Sequence, residues 1–380
     1  MGNKFRLTAL LFIALITIGK AQTNYQKADS LSTILYNTAQ WEKLIDFAKN
    51  TIQQGDDFPE LRLKLAYAFF VKENYAEALV HYDEILTADP FNQTVLYYAY
   101  LCNLYLNQPY DAGFLASRLE NKMVAGTEIK SFKLIATGAE SGIKFTNIYE
   151  RGNSSYSRAF VDMRLTYKLS ATQSLSYYNQ PIHNDHIEQP AYYIKLNYTP
   201  FRKINFIGAY HYMRSNLRSS VYQSNTYLLG INYSNAYNNL QGDVILSSLG
   251  NEQTRQYNVK FLRYISGNLN FYSSSRVTLM DVVKQKEIVF QQLFGVKPIR
   301  NLWFEGAVTL GNQYNYSEAE ALYIYNGFDK TKFKLNGNCY FLLKQHLLFG
   351  LNYTFERKSD NIFKFNYLQH SINGSITWNF

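Results

Sequence analysis

Residues 347–356 read Leu-Leu-Phe-Gly-Leu-Asn-Tyr-Thr-Phe-Glu. Leu347, Phe349, Leu351, Tyr353 and Phe355 take every second place, while Asn352, Thr354 and Glu356 fill places between and after them. A period of two puts the apolar side chains on one face of an extended strand and the polar ones on the other. The pattern recurs upstream. Ala159, Val161, Met163, Leu165 and Tyr167 alternate with Phe160, Asp162, Arg164, Thr166 and Lys168. Tyr192, Ile194, Leu196 and Tyr198 form another run, as do Tyr227, Leu229, Ile231 and Tyr233. Phe333, Leu335, Cys339, Phe341 and Leu343 face away from Lys332, Lys334, Asn336 and Asn338.

From about residue 131 onward the connections alternate as well. Short links near 170, 200–202, 234–235, 266–267, 298–299 and 345 are expected on one side. Longer polar links, 150–155, 181–190, 214–220, 248–252, 281–286, 313–329 and 357–362, are expected on the other. Pro181, Pro190, Pro200 and Pro298 all read as link residues, because a ladder interior tolerates no proline. Strands are expected to start near 139, 156, 171, 191, 203, 221, 238, 253, 268, 285, 301, 331, 346 and 367. That makes fourteen, with twelve or sixteen open if the 313–329 link or the first strand is misread. Alternating faces with short turns on one side describe a transmembrane antiparallel β-barrel over 131–380. A soluble sandwich is the competing fold; it accounts poorly for so many Tyr and Phe on the apolar face.

The composition agrees. Tyr 34, Phe 26 and Trp 3 make the chain 17% aromatic, yet only 18% is charged. The mean hydropathy of −0.28 excludes a polytopic helical membrane protein. Cys102 and Cys339 are too few for a disulfide framework. At the N-terminus, Lys4 and Arg6 precede an apolar run from Leu7 to Ile18, and Gly19-Lys20-Ala21 offers a cleavage site. Residues 1–21 therefore read as an export signal.

Residues 22–130 have a helical period. Gln40-Trp41, Asn74-Tyr75 and Pro109-Tyr110 recur at spacings of 34 and 35. In the middle unit, small Ala66 and Ala78 let two helices approach, Phe69 and Tyr82 fill the space beside them, and Pro90 follows the second helix. This resembles the tetratricopeptide repeat in about three units; a generic helical bundle is the alternative. Tyr67, Tyr97, Tyr98 and Tyr100 line a groove there or form core. The fold class is thus α+β and multidomain: an export signal, a repeat domain over 22–130 and the barrel over 131–380.

Charge divides with the domains. Residues 22–130 hold nine basic and fourteen acidic residues, and 131–380 hold 26 basic and 15 acidic. A nucleic-acid partner is excluded for an exported chain with an acidic soluble part. By parity Arg158, Arg164, Lys168, Lys195, Lys260, Arg276, Lys332 and Lys334 face the lumen, with Asp162, Asp243, Glu287, Glu305 and Glu356. They form either an internal salt-bridge network or a mildly anion-favouring passage. Basic groups near the loops also suit lipopolysaccharide phosphates.

No phosphate-binding loop, HExxH motif or nucleophile turn occurs, so no catalytic residue, cofactor or metal is assigned. His183, Asp185 and His186 cluster in an expected outside loop, a spacing common on surfaces. His211 falls on the lumen face.

The last strand puts Ile372, Ile376, Trp378 and Phe380 on one face. It resembles the C-terminal recognition signal of bacterial outer-membrane barrels, which implies the barrel-assembly machinery as a partner. Export signal, helical repeats and a barrel ending Trp378-Asn379-Phe380 together resemble the YaiO family of outer-membrane barrels. The layout is also similar to exporters of poly-N-acetylglucosamine and cellulose, which carry many more repeats. The resemblance implies an outer-membrane protein with a periplasmic repeat domain. It implies a pore or accessory in export or assembly of a surface polysaccharide, possible contact with an anionic glycan, and a periplasmic partner docked on the repeats. It assigns no site residue. The second reading is structural: a filled barrel anchoring a scaffold that docks a periplasmic or secretion-machinery partner.

Overall fold

The computed structural model describes residues 25–380 except 126, 128, 183–184, 218–219, 251, 283–284, 327–328 and 361–364. The expected export signal, 1–21, and His183 lie outside the described residues.

Helix α1 covers 25–37. It is followed by α2 (Trp41–Gln53), α3 (Pro59–Val71), α4 (Tyr75–Ala88), α5 (Gln93–Tyr105), α6 (Pro109–Ala116) and the short α7 (Asn121–Val124). From α2 to α6 each helix packs on the next. The recurring dipeptides mark the starts of α2, α4 and α6. Proline suits the first turn of α3 and α6, where its missing N–H costs nothing. Asn74 and Asn92 cap α4 and α5, accepting from the Glu77 and Val95 N–H at 3.2 Å each. Ala66, Ala78 and Tyr82 are wholly buried and Phe69 nearly so. Tyr100 is also buried, whereas Tyr67, Tyr97 and Tyr98 are half-buried in one continuous group of rings.

The strands are β1 (Lys133–Thr146), β2 (Ser154–Thr166), β3 (Leu169–Ile182), β4 (Asp185–Phe201), β5 (Ile204–Leu217), β6 (Ser220–Ser234), β7 (Asn238–Leu249) and β8 (Glu252–Tyr264). They continue with β9 (Phe271–Val282), β10 (Gln285–Ile299), β11 (Leu302–Gln313), β12 (Tyr316–Glu318), β13 (Tyr323–Tyr325), β14 (Asp329–Leu343), β15 (Leu347–Asp360) and β16 (Asn366–Asn379). All but β12 and β13 form one closed, fourteen-stranded antiparallel barrel, sealed by β1 pairing with β16. Every barrel strand begins within six residues of its expected start.

The strands run further into the links on both sides than the sequence suggested. Pro181 lies in β3, Pro190 and Pro200 in β4, and Pro298 in β10, so the assignment of all four to links is corrected. The ladder accommodates them where a missing donor is harmless. Pro200 and Pro298 sit at register shifts, between Tyr198 and Phe201 and between Val296 and Ile299. The β4–β5 pairing skips from Glu188 to Ala191, passing over Pro190.

The barrel is inside-out relative to a soluble sheet. Leu229 is 74% exposed and Ile288 66%, whereas Thr226, Thr278 and Glu356 are at most 1% exposed. Strands of 12–17 residues surround it. Tilted by about 45°, twelve residues rise roughly 28 Å, close to the thickness of a bilayer's hydrocarbon core.

Candidate functional site

Fourteen strands enclose more space than lining side chains alone fill. Here the chain fills it with its own link. After β11 the segment expected as an outside loop turns inward, and β12 pairs with β13 as a small hairpin in the lumen. Tyr316 and Ala321 are wholly buried there. The hairpin tip, Ala319-Glu320-Ala321, has φ of 48°, 59° and 66°, three consecutive left-handed residues without a glycine.

The wall holds this tip through groups far away in sequence. Ala321 packs on Ile207, Ala209, Leu228 and Ile245, an apolar patch on the otherwise polar inner face. Tyr193 donates its hydroxyl to the Glu320 carbonyl at 2.9 Å. His211 lies 2.7 Å from the Ala321 carbonyl, which its Nδ1–H meets as donor, and its Nε2 is buried without a partner. Gln256 accepts from the Ser317 N–H at 3.1 Å and donates to the Ser317 carbonyl at 2.8 Å. Lys195 meets Glu320 at 2.7 Å and Lys334 meets Glu318 at 2.5 Å.

The lumen residues expected from parity take several kinds of place. Arg158 pairs with Glu140 at 2.7 Å and lies over the Phe160 ring. Arg276 donates to Asn258 at 3.0 Å and to the Ser317 carbonyl at 3.4 Å. Lys260 lines the lumen beside the hairpin. Glu305 accepts from Tyr272 and Asn338. Asp162 accepts from Thr172 at 2.6 Å. Arg164 and Lys168 stand at the short-turn end, Arg164 by the Lys130 carbonyl and Lys168 over the Phe114 ring. Lys332 is exposed: the register shifts between Thr331 and Phe333, and the bulge brings Thr331 inward to Glu356 instead.

Sequence reading missed Arg151, which joins Asp329 at 2.9 Å and Asp360 at 2.5 Å toward the long-link end. It also missed Glu318 and Glu320. Their one signal was a pair of carboxylates two residues apart in a link opposite a basic wall. Among the described residues no cluster of three metal-ligating side chains occurs; His186 lies near Glu188.

Space remains beside the hairpin and the helices. A cavity of about 710 Å³ is bounded by the hairpin and lined by Asn336, Asn338, Asn352, Asn373, Tyr156, Tyr323 and Tyr340 among others. Its amides form a relay: Asn373 donates to Asn352, Asn352 to Asn338, and Asn338 to Glu305. A smaller one of about 350 Å³ lies between Tyr110, Lys168 and Lys195.

The helices close the short-turn end. Four consecutive turns receive them. The Ala76 N–H donates to the Gly267 carbonyl at 2.9 Å, and Asn268 donates to the Glu73 carbonyl at 3.0 Å. Gln108 donates to the Asn235 carbonyl and Tyr264 to the Leu106 carbonyl. Asp83 pairs with both Arg202 and Lys203. Asp111 accepts from the Lys203 N–H at 2.7 Å and the Ser234 hydroxyl at 2.6 Å. Burial raises the Asp111 carboxyl above the usual carboxylate range, against those hydrogen bonds. Ala236, Tyr264 and Tyr272 join the helical core, so the two parts share one apolar cluster.

No family model and no curated protein matches the chain. Solved barrels are similar in shape. They include the CymD monoaromatic hydrocarbon channel, at 8% identity and a TM-score of 0.47, covering 65% of this chain and 89% of that one. The Pseudomonas putida toluene transporter TodX also shares 8%, with a TM-score of 0.44 and the same coverage. Acinetobacter baumannii Omp33 shares 10%, with a TM-score of 0.39, covering 66% of this chain and 99% of that one.

Proposed function

We propose that the chain is an outer-membrane channel held closed by its own hairpin, acting in export or assembly of a surface polysaccharide. The observation that carries the reading is the apolar outer wall around a polar, partly empty lumen. Exposed Leu229 and Ile288 suit hydrocarbon, and a 710 Å³ cavity lined by amides and phenols suits hydroxyl-rich solutes. Lipid and lipopolysaccharide are then its surroundings. The helices face the periplasm, where their tetratricopeptide-like spacing suits a protein partner.

Planar-bilayer recording tests the channel. The whole chain is expected to be silent or to open briefly, and removal of residues 315–325 is expected to give steady conductance. Silence in both would remove the channel and leave the anchor. The anchor has its own support in the seating of α6 against β4 and β5, a second closure. The glycan assignment is tested by gene deletion: surface polysaccharide should fall and return with the intact chain.

A further inference from the structure

Interior cations divide into two sets. Arg158 pairs with Glu140, Lys358 lies 4.0 Å from Glu356, and Arg151 pairs with Asp329. In each of these the acid belongs to the barrel wall. Lys195, Lys260, Arg276 and Lys334 differ. Lys195 and Lys334 pair with Glu320 and Glu318, Arg276 reaches the Ser317 carbonyl, and Lys260 lines the cavity that the hairpin bounds. Lys195 and Lys334 hold hairpin carboxylates that lie outside the barrel ladder, while wall acids also stand near the set: Asp243 acts on Lys260 and Arg276, and Glu356 is the cross-strand neighbour of Lys334. If the hairpin left, Lys195 and Lys334 would lose the carboxylates they now pair with. The hairpin tip is also held in a left-handed conformation that side chains disfavour. It is therefore a poor candidate for a permanent filling and a good one for an exchangeable occupant.

We infer that Lys195, Lys260, Arg276 and Lys334 form a binding strip for an acidic, uronate-bearing oligosaccharide, with Glu318 and Glu320 as its resident stand-ins. The carboxylates of such a ligand match the cations that now hold carboxylates. Its hydroxyls match the amide relay of Asn338, Asn352 and Asn373 along the adjoining cavity. The inference deepens the channel reading and rests on it for the route by which a glycan arrives.

Equilibrium dialysis of tri-galacturonate against the whole detergent-solubilised protein tests the strip without requiring conduction. The E318Q/E320Q variant keeps shape and removes the competing charge, so affinity should rise at least tenfold over the parent. Adding K195M and K260M should return it to the parent level or below, while K195R/K334R should retain it. Neutral maltotriose should bind no better in any variant. Heat-dependent gel mobility identifies folded barrels. If the double glutamine variant does not fold, E320Q alone should still raise affinity several-fold. No gain in a folded variant, or a gain indifferent to K195M/K260M, overturns the strip. A silent bilayer with intact binding would instead overturn the channel reading.

Discussion

Gly113 lies flat against the carbonyl of Tyr167: a Cβ at Gly113 would overlap that oxygen. Helix α6 sits this close to the barrel's first short turn because it has no side chain there. Gly113→Val should lift α6 from the mouth and leave the barrel intact. Limited proteolysis should then cut near 105–120 in the variant and spare the parent, with unchanged heat-dependent gel mobility.

Two aspartates fix the same contact with unequal force. Asp83 makes partly exposed ion pairs with Arg202 and Lys203, each worth about 1 kcal/mol or less. Asp111 is 5% exposed and satisfies the Lys203 N–H and the Ser234 hydroxyl. Removing a buried acceptor costs about 1–3 kcal/mol for each stranded partner. Asp111→Ala should therefore speed hydrogen exchange in α6 far more than Asp83→Ala. The reverse order would refute this ranking.

His81 carries a pH dependence for the helices. Burial lowers it to about 4, with Arg62 and Lys49 pushing the same way and Glu77 and Asp57 opposing. Its ring stacks on Phe69, and Arg62 is 3.2 Å from Nδ1. The unfolded histidine titrates near 6.5. Between pH 6.5 and 4 the unfolded chain takes up a proton that the folded helices refuse. Stability is thus whole above 6.5 and falls as pH drops, by up to about 3 kcal/mol. Amide exchange in α3 and α4 should show this slope, and His81→Gln should flatten it.

The outer wall makes a depth-dependent prediction. Leu229→Arg should cost about 2–4 kcal/mol in folding into lipid vesicles if that site meets the bilayer midplane. Lys332→Glu, at the exposed bulge near the strand end, should cost under about 1 kcal/mol. Urea titrations in vesicles would measure both.

The strand count was legible because the period of two depends only on neighbours along the chain. Leu347 to Phe355 declare a face without reference to anything else. Parity failed at Lys332, where one bulged residue exchanges inside for outside. The proline rule failed for Pro190 because the β4–β5 ladder omits the pairs at Gln189 and Pro190, and sequence does not reveal which pairs are omitted. The destination of 313–329 was not legible at all. It is decided by Lys195, 125 residues from Glu320, and by an apolar patch at Ile207 and Leu228 that local alternation reads as ordinary strand. The helices' seat on the turns was hidden likewise, since Gly113 and Asp111 have meaning only beside Tyr167 and Ser234.

The seam between β1 and β16 joins Ala136 to Asn379, with the Phe380 N–H donating to the Ile135 carbonyl. The first and last barrel strands to leave the ribosome are therefore each other's neighbours. No partial product can seal itself, and both edges stay open to wrong partners until β16 exists. The helical unit precedes β1 and supplies most of the apolar cluster that the two parts share, so it can be largely finished while the strands wait. The order of synthesis thus gives this chain a base already largely folded, on which the slow, long-range closure can take place.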